Sequence, residues 1–199
     1  MLKLMVFPSK EKEFNDLDLI ERIKEGEEEA LQLLMESKID KLHSFCTRLL
    51  GDREEAKDIC QMVFLKVWEQ ADKFNPSFTL NTWLYRIAYN LCIDTIRHKK
   101  SVEQMEKRYL EIVRTKKDGS SAFTEMEEEE IERILKELSF ELSPKQRAVF
   151  LLHEIDEVPT PEIAKILKSS QATIRNHLFH ARKIITEKLR EKYPEYLNE

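Results

Sequence analysis

The residues best suited to hold another molecule lie toward the C-terminal end of the sequence. From Lys168 to Lys192 there are seven basic residues and two acidic ones, a local charge of +5. The chain as a whole, 199 residues long, carries −5. Within that stretch Ile174, Leu178, Ala181, Ile185 and Leu189 recur at helical spacing. The positions between them are Gln171, Thr173, Arg175, Asn176, His177, Phe179, His180, Arg182 and Lys183. Their amide, hydroxyl, imidazole and guanidinium groups suit base edges and phosphate oxygens. Ser169 or Ser170 can cap this helix, and its free N–H groups can then sit near a phosphate.

Upstream, Pro159-Thr160-Pro161-Glu162 starts a short helix carrying Ile163, Ala164, Ile166 and Leu167, and Lys168-Ser169-Ser170 turns into the basic helix. A short helix, a tight turn and a longer helix outline a helix-turn-helix. A plain αα-hairpin with a solvated basic face is the bland alternative. The cap, the small Ala164 and the +5 patch favour DNA, while the lack of a glycine in the turn counts slightly against it.

Catalytic constellations are missing from the sequence. Cys46, Cys60 and Cys92 fall on apolar stripes and read as core. They are odd in number and far apart, so they form no disulfide framework. His43-x-x-Cys46 could begin a metal site, but no second pair follows at metal spacing. No glycine-rich phosphate loop occurs. The expectation is a binding protein with no catalytic residue, metal or cofactor.

The elements that must position the basic helix are themselves helical. Only 3 glycines occur, too few for the turns of an all-β or Rossmann-type chain. Asp16 or Asp18 can cap a short helix that stops at Gly26. The next helix buries Ala30, Leu33, Leu34, Leu42, Phe45 and Leu49, and Gly51-Asp52 ends it. A third carries Ala56, Ile59, Cys60, Val63, Phe64, Val67 and Trp68. After the loop Asn75-Pro76-Ser77, a fourth carries Trp83, Leu84, Ile87, Ala88, Leu91, Cys92 and Ile96 and closes with Arg97-His98-Lys99-Lys100. The pattern then fades, and Lys116 to Ser121 reads as linker. The acidic run Glu125–Glu132 leads into a second block, where Ser143-Pro144 marks a helix start. No apolar run approaches the roughly 20 residues of a membrane span, and the first residues show no small-residue cleavage site. These features place the chain in the cytoplasm.

Three segments together, AKDICQMVFLKVW (56–68), FTLNTWLYRIAYNLCIDTIR (78–97) and the stretch from Leu142 to Glu191, resemble bacterial RNA polymerase sigma factors of the extracytoplasmic-function (ECF) type. The resemblance covers about Leu17 to Arg190. It implies an all-α fold of two small helical domains, a sigma region 2 bundle at 10–100 and a sigma region 4 helix-turn-helix at 127–195, joined by a flexible linker at 101–126. It implies that the protein binds core RNA polymerase, directs it to promoters and helps open the DNA. The first domain would dock on the clamp coiled coil through Asp58, Gln61 and Lys66. It would open the −10 element through the loop 74–81 and the helix behind it, with Asn75, Ser77, Asn81, Tyr85, Arg86, Tyr89, Asn90, Arg97, His98, Lys99 and Lys100 as DNA contacts. Asn75, Ser77, Thr79 and Asn81 can read base edges, with Phe78 and Leu80 beside them. Trp83 reads as core, whereas Tyr85 and Tyr89 read as surface aromatics. The second domain would lie on the polymerase flap and read the −35 duplex through Ser170, Thr173, Arg175, Asn176, His177, Phe179, His180, Arg182 and Lys183. The family further implies an anti-sigma factor as partner, and no membrane contact of the chain's own.

Two departures from the family pattern bear on promoter choice. The −10 loop lacks the glycine and the acidic character of the commoner form. His177 and His180 stand where relatives usually carry arginine or lysine, so −35 binding is expected to strengthen from about pH 7.5 toward 6. The net charge of −5 predicts modest DNA affinity for the free protein. The connector 101–124 reaches at most roughly 80 Å, enough for promoter elements on the order of 50 Å apart. The acidic run 125–130 reads as a solvated helix start favoured by the helix dipole. A stand-alone helix-turn-helix regulator is the competing reading, and a purely protein-binding helical module a weaker one. The segments 56–68 and 83–97 argue against the first, the basic patch against the second.

Overall fold

The computed structural model describes residues 15–110 and 127–197, and every element among them is helical. α1 (Asp16–Lys24), α2 (Glu28–Leu50), α3 (Arg53–Gln70) and α4 (Leu80–Leu110) form the first block. α5 (Glu127–Phe140), α6 (Pro144–Phe150), α7 (Thr160–Ile166) and α8 (Gln171–Lys192) form the second. No helix among the described residues is long and apolar enough to cross a membrane. The N-terminal residues, the linker signature and the start of the acidic run lie outside the described residues.

Local chemistry accounts for the boundaries. α1 is capped by Asn15, whose side chain accepts from the Leu17 N–H at 3.1 Å, rather than by Asp16 or Asp18. Those two aspartates lie in the first turn, where the helix dipole favours them. α2 ends at Gly51, which takes the left-handed conformation at φ 78°. Asp52 then caps α3 by accepting from the N–H groups of Glu54 and Glu55. The Thr79 hydroxyl accepts from the Thr82 N–H at the start of α4. α4 runs on to Leu110, past the Arg97–Lys100 end read from the sequence. The apolar stripe stops near Ile96, but helical backbone hydrogen bonds do not need an apolar face to continue. Ser143 and Gln146 form a capping box at α6, with Pro144 in its first turn. One wide turn at Leu151–Ile155 follows α6.

The core of the first block is the set Ala30, Leu34, Phe45, Leu49, Ala56, Val63, Phe64, Val67, Leu84 and Ala88, all buried. Leu33 lies half-buried at its edge. Cys46, Cys60 and Cys92 are buried and unoxidised there. The neighbouring thiols of Cys60 and Cys92 and the burial of Cys46 all push its pKa up. Trp83 packs on Phe74 with ring centres 5.3 Å apart, half-buried at the core edge. In the second block Val149, Leu152, Ile163, Ile166, Ile174 and Leu178 are buried together.

The two blocks touch. Arg147 of α6 is 6% exposed. Its Nη1 donates to the Leu49 carbonyl at the end of α2 at 3.0 Å, and its Nε donates to the Ser139 carbonyl at 3.0 Å. The same guanidinium lies 3.6 Å from the Phe140 ring centre. Burial lowers the Arg147 pKa to about 10, so it stays charged at neutral pH.

Candidate nucleic-acid interface

The second block builds the turn expected of a helix-turn-helix without a glycine. Lys168 takes the left-handed conformation at φ 48°. The Ser169 N–H donates to the Ala164 carbonyl at 2.9 Å, closing α7 as a glycine normally would. Ser170 caps α8, its hydroxyl accepting from the Thr173 N–H at 3.1 Å. Ile174, Leu178 and Ala181 turn inward. Gln171, Arg175, Asn176, Phe179, His180, Arg182 and Lys183 are left exposed, with Phe179 at 65%. Phe179 and His180 meet edge to face, ring centres 5.4 Å apart.

Not every expected donor on α8 is free. Arg182 donates to Glu154 Oε1 at 2.6 and 3.0 Å. Burial opposes ionisation of Glu154, but Arg182 and His153 more than offset it and hold the carboxyl below its usual range. His177 is half-buried, and burial, Lys145 and His180 push its pKa below the ordinary 6.5. It is therefore neutral through the upper part of the range in which the sequence suggested a charge change.

On the first block, helical geometry sorts the expected −10 residues. At about 100° per residue, Thr82, Arg86, Tyr89, Asn90, Arg97 and Lys100 share one face of α4. Asn81 and Lys99 fall on the other side. Lys99 pairs there with Glu55 of α3 at 2.7 Å. Asn90, Arg97, His98 and Lys100 are exposed, and Arg97 makes a long pair with Asp94 at 3.3 Å. In the loop, the Asn75 side-chain oxygen accepts from the Ser77 N–H at 2.9 Å, which fixes the turn. Asn75 and Ser77 remain exposed.

Tyr85 departs from the expected surface aromatic. It is 8% exposed, edge-on to Phe45 with ring centres 5.2 Å apart, and its hydroxyl meets Asp156. One position before Arg86 on the helix, its ring points to the core. Burial, then Asp156, push its pKa well up. Tyr89 is half-buried against the same core, which raises its pKa too.

On α3 the structure places Asp58 and Gln61 on one exposed face, with Lys66 half-buried at its edge. It adds Met62 at 44% exposure and Leu65 at 48%, which the sequence reading passed over. Their signal was available, because both fall out of phase with the buried stripe Ile59, Cys60, Val63, Phe64 and Val67. No group of three or more His, Cys, Asp or Glu among the described residues is placed to hold a metal ion.

Comparison with known proteins meets this geometry at both blocks. Residues 34–102 match the Sigma-70 region 2 family and residues 128–185 the Sigma-70 region 4 family. The chain is 30% identical over 181 residues to the ECF RNA polymerase sigma factor SigW of Bacillus subtilis, covering 86% of this chain and 95% of that protein. It is 28% identical over 183 residues to the ECF RNA polymerase sigma-E factor of Escherichia coli K12, covering 89% and 95%. Its fold is similar to CnrH in complex with the cytosolic domain of CnrY, with TM-score 0.65 at 20% identity over 89% of this chain and 98% of that one. It is also similar to the sigma factor RpoE of Bartonella quintana in complex with the anti-sigma factor NepR, with TM-score 0.63 at 20% identity over 81% and 97%. With region 2 carrying the polar face of α4, region 4 the open helix α8, and a relative of this identity matched over nearly its full length, the chain belongs to the ECF RNA polymerase sigma factors.

Proposed function

We propose that the two helical units, 10–100 and 127–195 with the linker 101–126 between them, divide promoter recognition. In the first, the exposed α3 face of Asp58, Gln61, Met62 and Leu65, with Lys66 at its edge, docks on the clamp coiled coil of core polymerase. Asn75, Ser77 and the α4 face of Arg86, Asn90, Arg97 and Lys100 hold the opened −10 strand, with phosphates met by the cations. In the second, α8 enters the −35 major groove. Ser170 and Thr173 sit at its N-terminal end, where free N–H groups meet a phosphate. Arg175, Asn176, Phe179 and His180 face the bases, and Lys183 the backbone. Arg182 joins them on leaving Glu154. The unit rests on the polymerase flap.

The observation that carries this reading is the α8 face, a continuous exposed set of donors on a helix whose opposite side is core. The protein itself catalyses nothing: it positions DNA for the polymerase, and it works in the cytoplasm where both are found. An anti-sigma factor is a further partner, a proposal supported by the complex of the similar sigma factor RpoE with the anti-sigma factor NepR.

Run-off transcription tests the whole reading. Core polymerase is given a pool of promoter fragments with and without the protein. Discrete transcripts that need the protein are expected, and their shared upstream sequence gives the two elements. Arg175→Ala and Asn176→Ala should lose them on −35-dependent promoters. Tight duplex binding by the protein alone, with no transcripts, would favour a stand-alone regulator instead.

A further inference from the structure

We propose that Glu154 sets the DNA affinity of the −35 helix: in the free chain its carboxylate holds Arg182 in place of a DNA phosphate, and duplex DNA must displace it. This rests on the assignment of α8 to duplex DNA, and it names a residue outside that helix which governs how tightly the helix grips the backbone.

Arg182 follows Arg175 by seven residues, so both lie on one stripe of α8, with Arg182 about 10 Å further along the axis. A recognition helix reads bases from its N-terminal turns, so a donor two turns on meets the phosphate at the groove edge. In the free chain that donor is occupied. Arg182 Nε and Nη2 donate to one oxygen, Glu154 Oε1, at 3.0 and 2.6 Å. A carboxylate and a phosphate offer a guanidinium the same kind of anionic oxygen, so the two compete for it. Glu154 stands on the wide turn Leu151–Ile155, which is anchored by buried Leu151 and Leu152. The carboxylate is therefore presented from fixed backbone. His153 Nδ1 lies 2.9 Å from the same oxygen, so Glu154 keeps a neighbour when Arg182 leaves.

The restraint singles out Arg182. The next cation on the helix, Lys183, reaches Glu187 only at 3.8 Å. The Arg182 side chain is 55% exposed and that of Glu154 31%, so a phosphate can reach the guanidinium with no repacking of the core. An ion pair this exposed is weak, and the exchange is an equilibrium that lowers duplex affinity severalfold without abolishing it. Phosphates carry no sequence information, so the −35 element and unrelated duplex are weakened alike. Non-specific binding is almost wholly phosphate contact, and the pair thus keeps the free chain weak on bulk DNA.

The test is fluorescence anisotropy of the full chain with two labelled duplexes of equal length, one carrying the −35 element and one scrambled. Glu154→Gln should tighten binding to both about threefold. In an Arg182→Ala background the same substitution should change neither. That cycle separates the pair from the general effect of removing a negative charge near DNA, which would persist without Arg182. The plot of log affinity against log salt should be steeper by about 0.9 for Glu154→Gln than for Glu154→Gln with Arg182→Ala, one phosphate contact's worth. In the unsubstituted protein, the Arg182 Nε resonance should shift when scrambled duplex is added. Three results overturn the proposal: affinity unchanged or lowered in a Glu154→Gln protein of normal helical circular dichroism, a gain that survives Arg182→Ala, or a gain confined to the −35 duplex. An Arg182 Nε resonance unmoved by duplex does so without any variant. Arg175→Ala with Asn176→Ala tells the two failures apart. If −35 binding is unmoved by that pair, the assignment of α8 to duplex DNA has failed rather than the role of Glu154.

Discussion

Replacing Arg147 by methionine keeps an apolar stem of similar reach and removes the charge and all its donors. Burial lowers the Arg147 pKa from 12.5 to about 10, which at 1.36 kcal/mol per unit is a desolvation cost of about 3 kcal/mol. Against it stand two well-formed bonds from a charged donor, to the Ser139 and Leu49 carbonyls at 3.0 Å each. Such bonds contribute roughly 1.5–3 kcal/mol apiece. Two longer contacts, to Phe140 and Leu142 at 3.4 Å, add little. The Phe140 ring adds about 1 kcal/mol. The balance favours the native arginine by about 2 kcal/mol, an order-of-magnitude figure, before counting carbonyls left without a partner. Because one of the two strong bonds crosses from α6 to α2, the loss has a second signature. Arg147→Met should split a single urea transition into two, as the units stop unfolding together. Circular dichroism at 222 nm with urea titration measures both. Stability unchanged within about 0.5 kcal/mol, with one transition retained, would refute the assignment of Arg147 as a tie between the units.

Other outcomes follow from the same geometry. Ser170→Ala removes the α8 cap, so it should cost about 1 kcal/mol in a thermal melt and weaken −35 duplex binding. Met62→Asp with Leu65→Asp should reduce binding to core polymerase at least about tenfold with a much smaller effect on the melting temperature, since each side chain is already about half in water; a pull-down titration reads the first and calorimetry the second. His177 bears on pH. Its folded pKa lies below 6.5 because of burial, then Lys145 and His180. Protonation adds positive charge, so −35 affinity should rise as pH falls, and the His177 part of that rise should level off only below about pH 6.5. Anisotropy at fixed salt with a His177→Gln control checks it. A difference between the two proteins that is complete by pH 7 would contradict the placement.

Much of the fold was legible because its punctuation is chemical. Gly51-Asp52 and Ser143-Pro144 act in the structure as their side chains suggest, one as a left-handed stop followed by a cap, the other as a capping box. The apolar spacing named every buried residue of α3, and with them Trp68, which is half-buried. What periodicity could not give was the choice among nearby polar groups, as Asn15 rather than Asp16 or Asp18 shows. Nor could it give the far end of α4, where no core constrains the pattern. Tyr85 illustrates a harder limit. A tyrosine beside an arginine on a helix fits either face, and only tertiary packing against Phe45 and Asp156 decides it.

The site divides along the same line. Residues proposed to recognise DNA through an exposed helix face, such as Arg175, Asn176 and His180, were legible as exposed because exposure follows from being out of phase with Ile174 and Leu178. Residues whose state depends on contact between the units were not. Arg86 and Arg182 are identical in type and were read alike as DNA contacts. In the folded chain one holds a carbonyl of α7 and the other a carboxylate of Glu154. The two restraints differ in kind. Arg182 and Glu154 belong to the same unit, so DNA can exchange for the carboxylate without moving a helix. The Arg86 contact crosses between the units, so giving it up removes one of the ties that hold α7 against α4. That tie lies between the units, where no repeat, cap or charge count in the sequence reveals it.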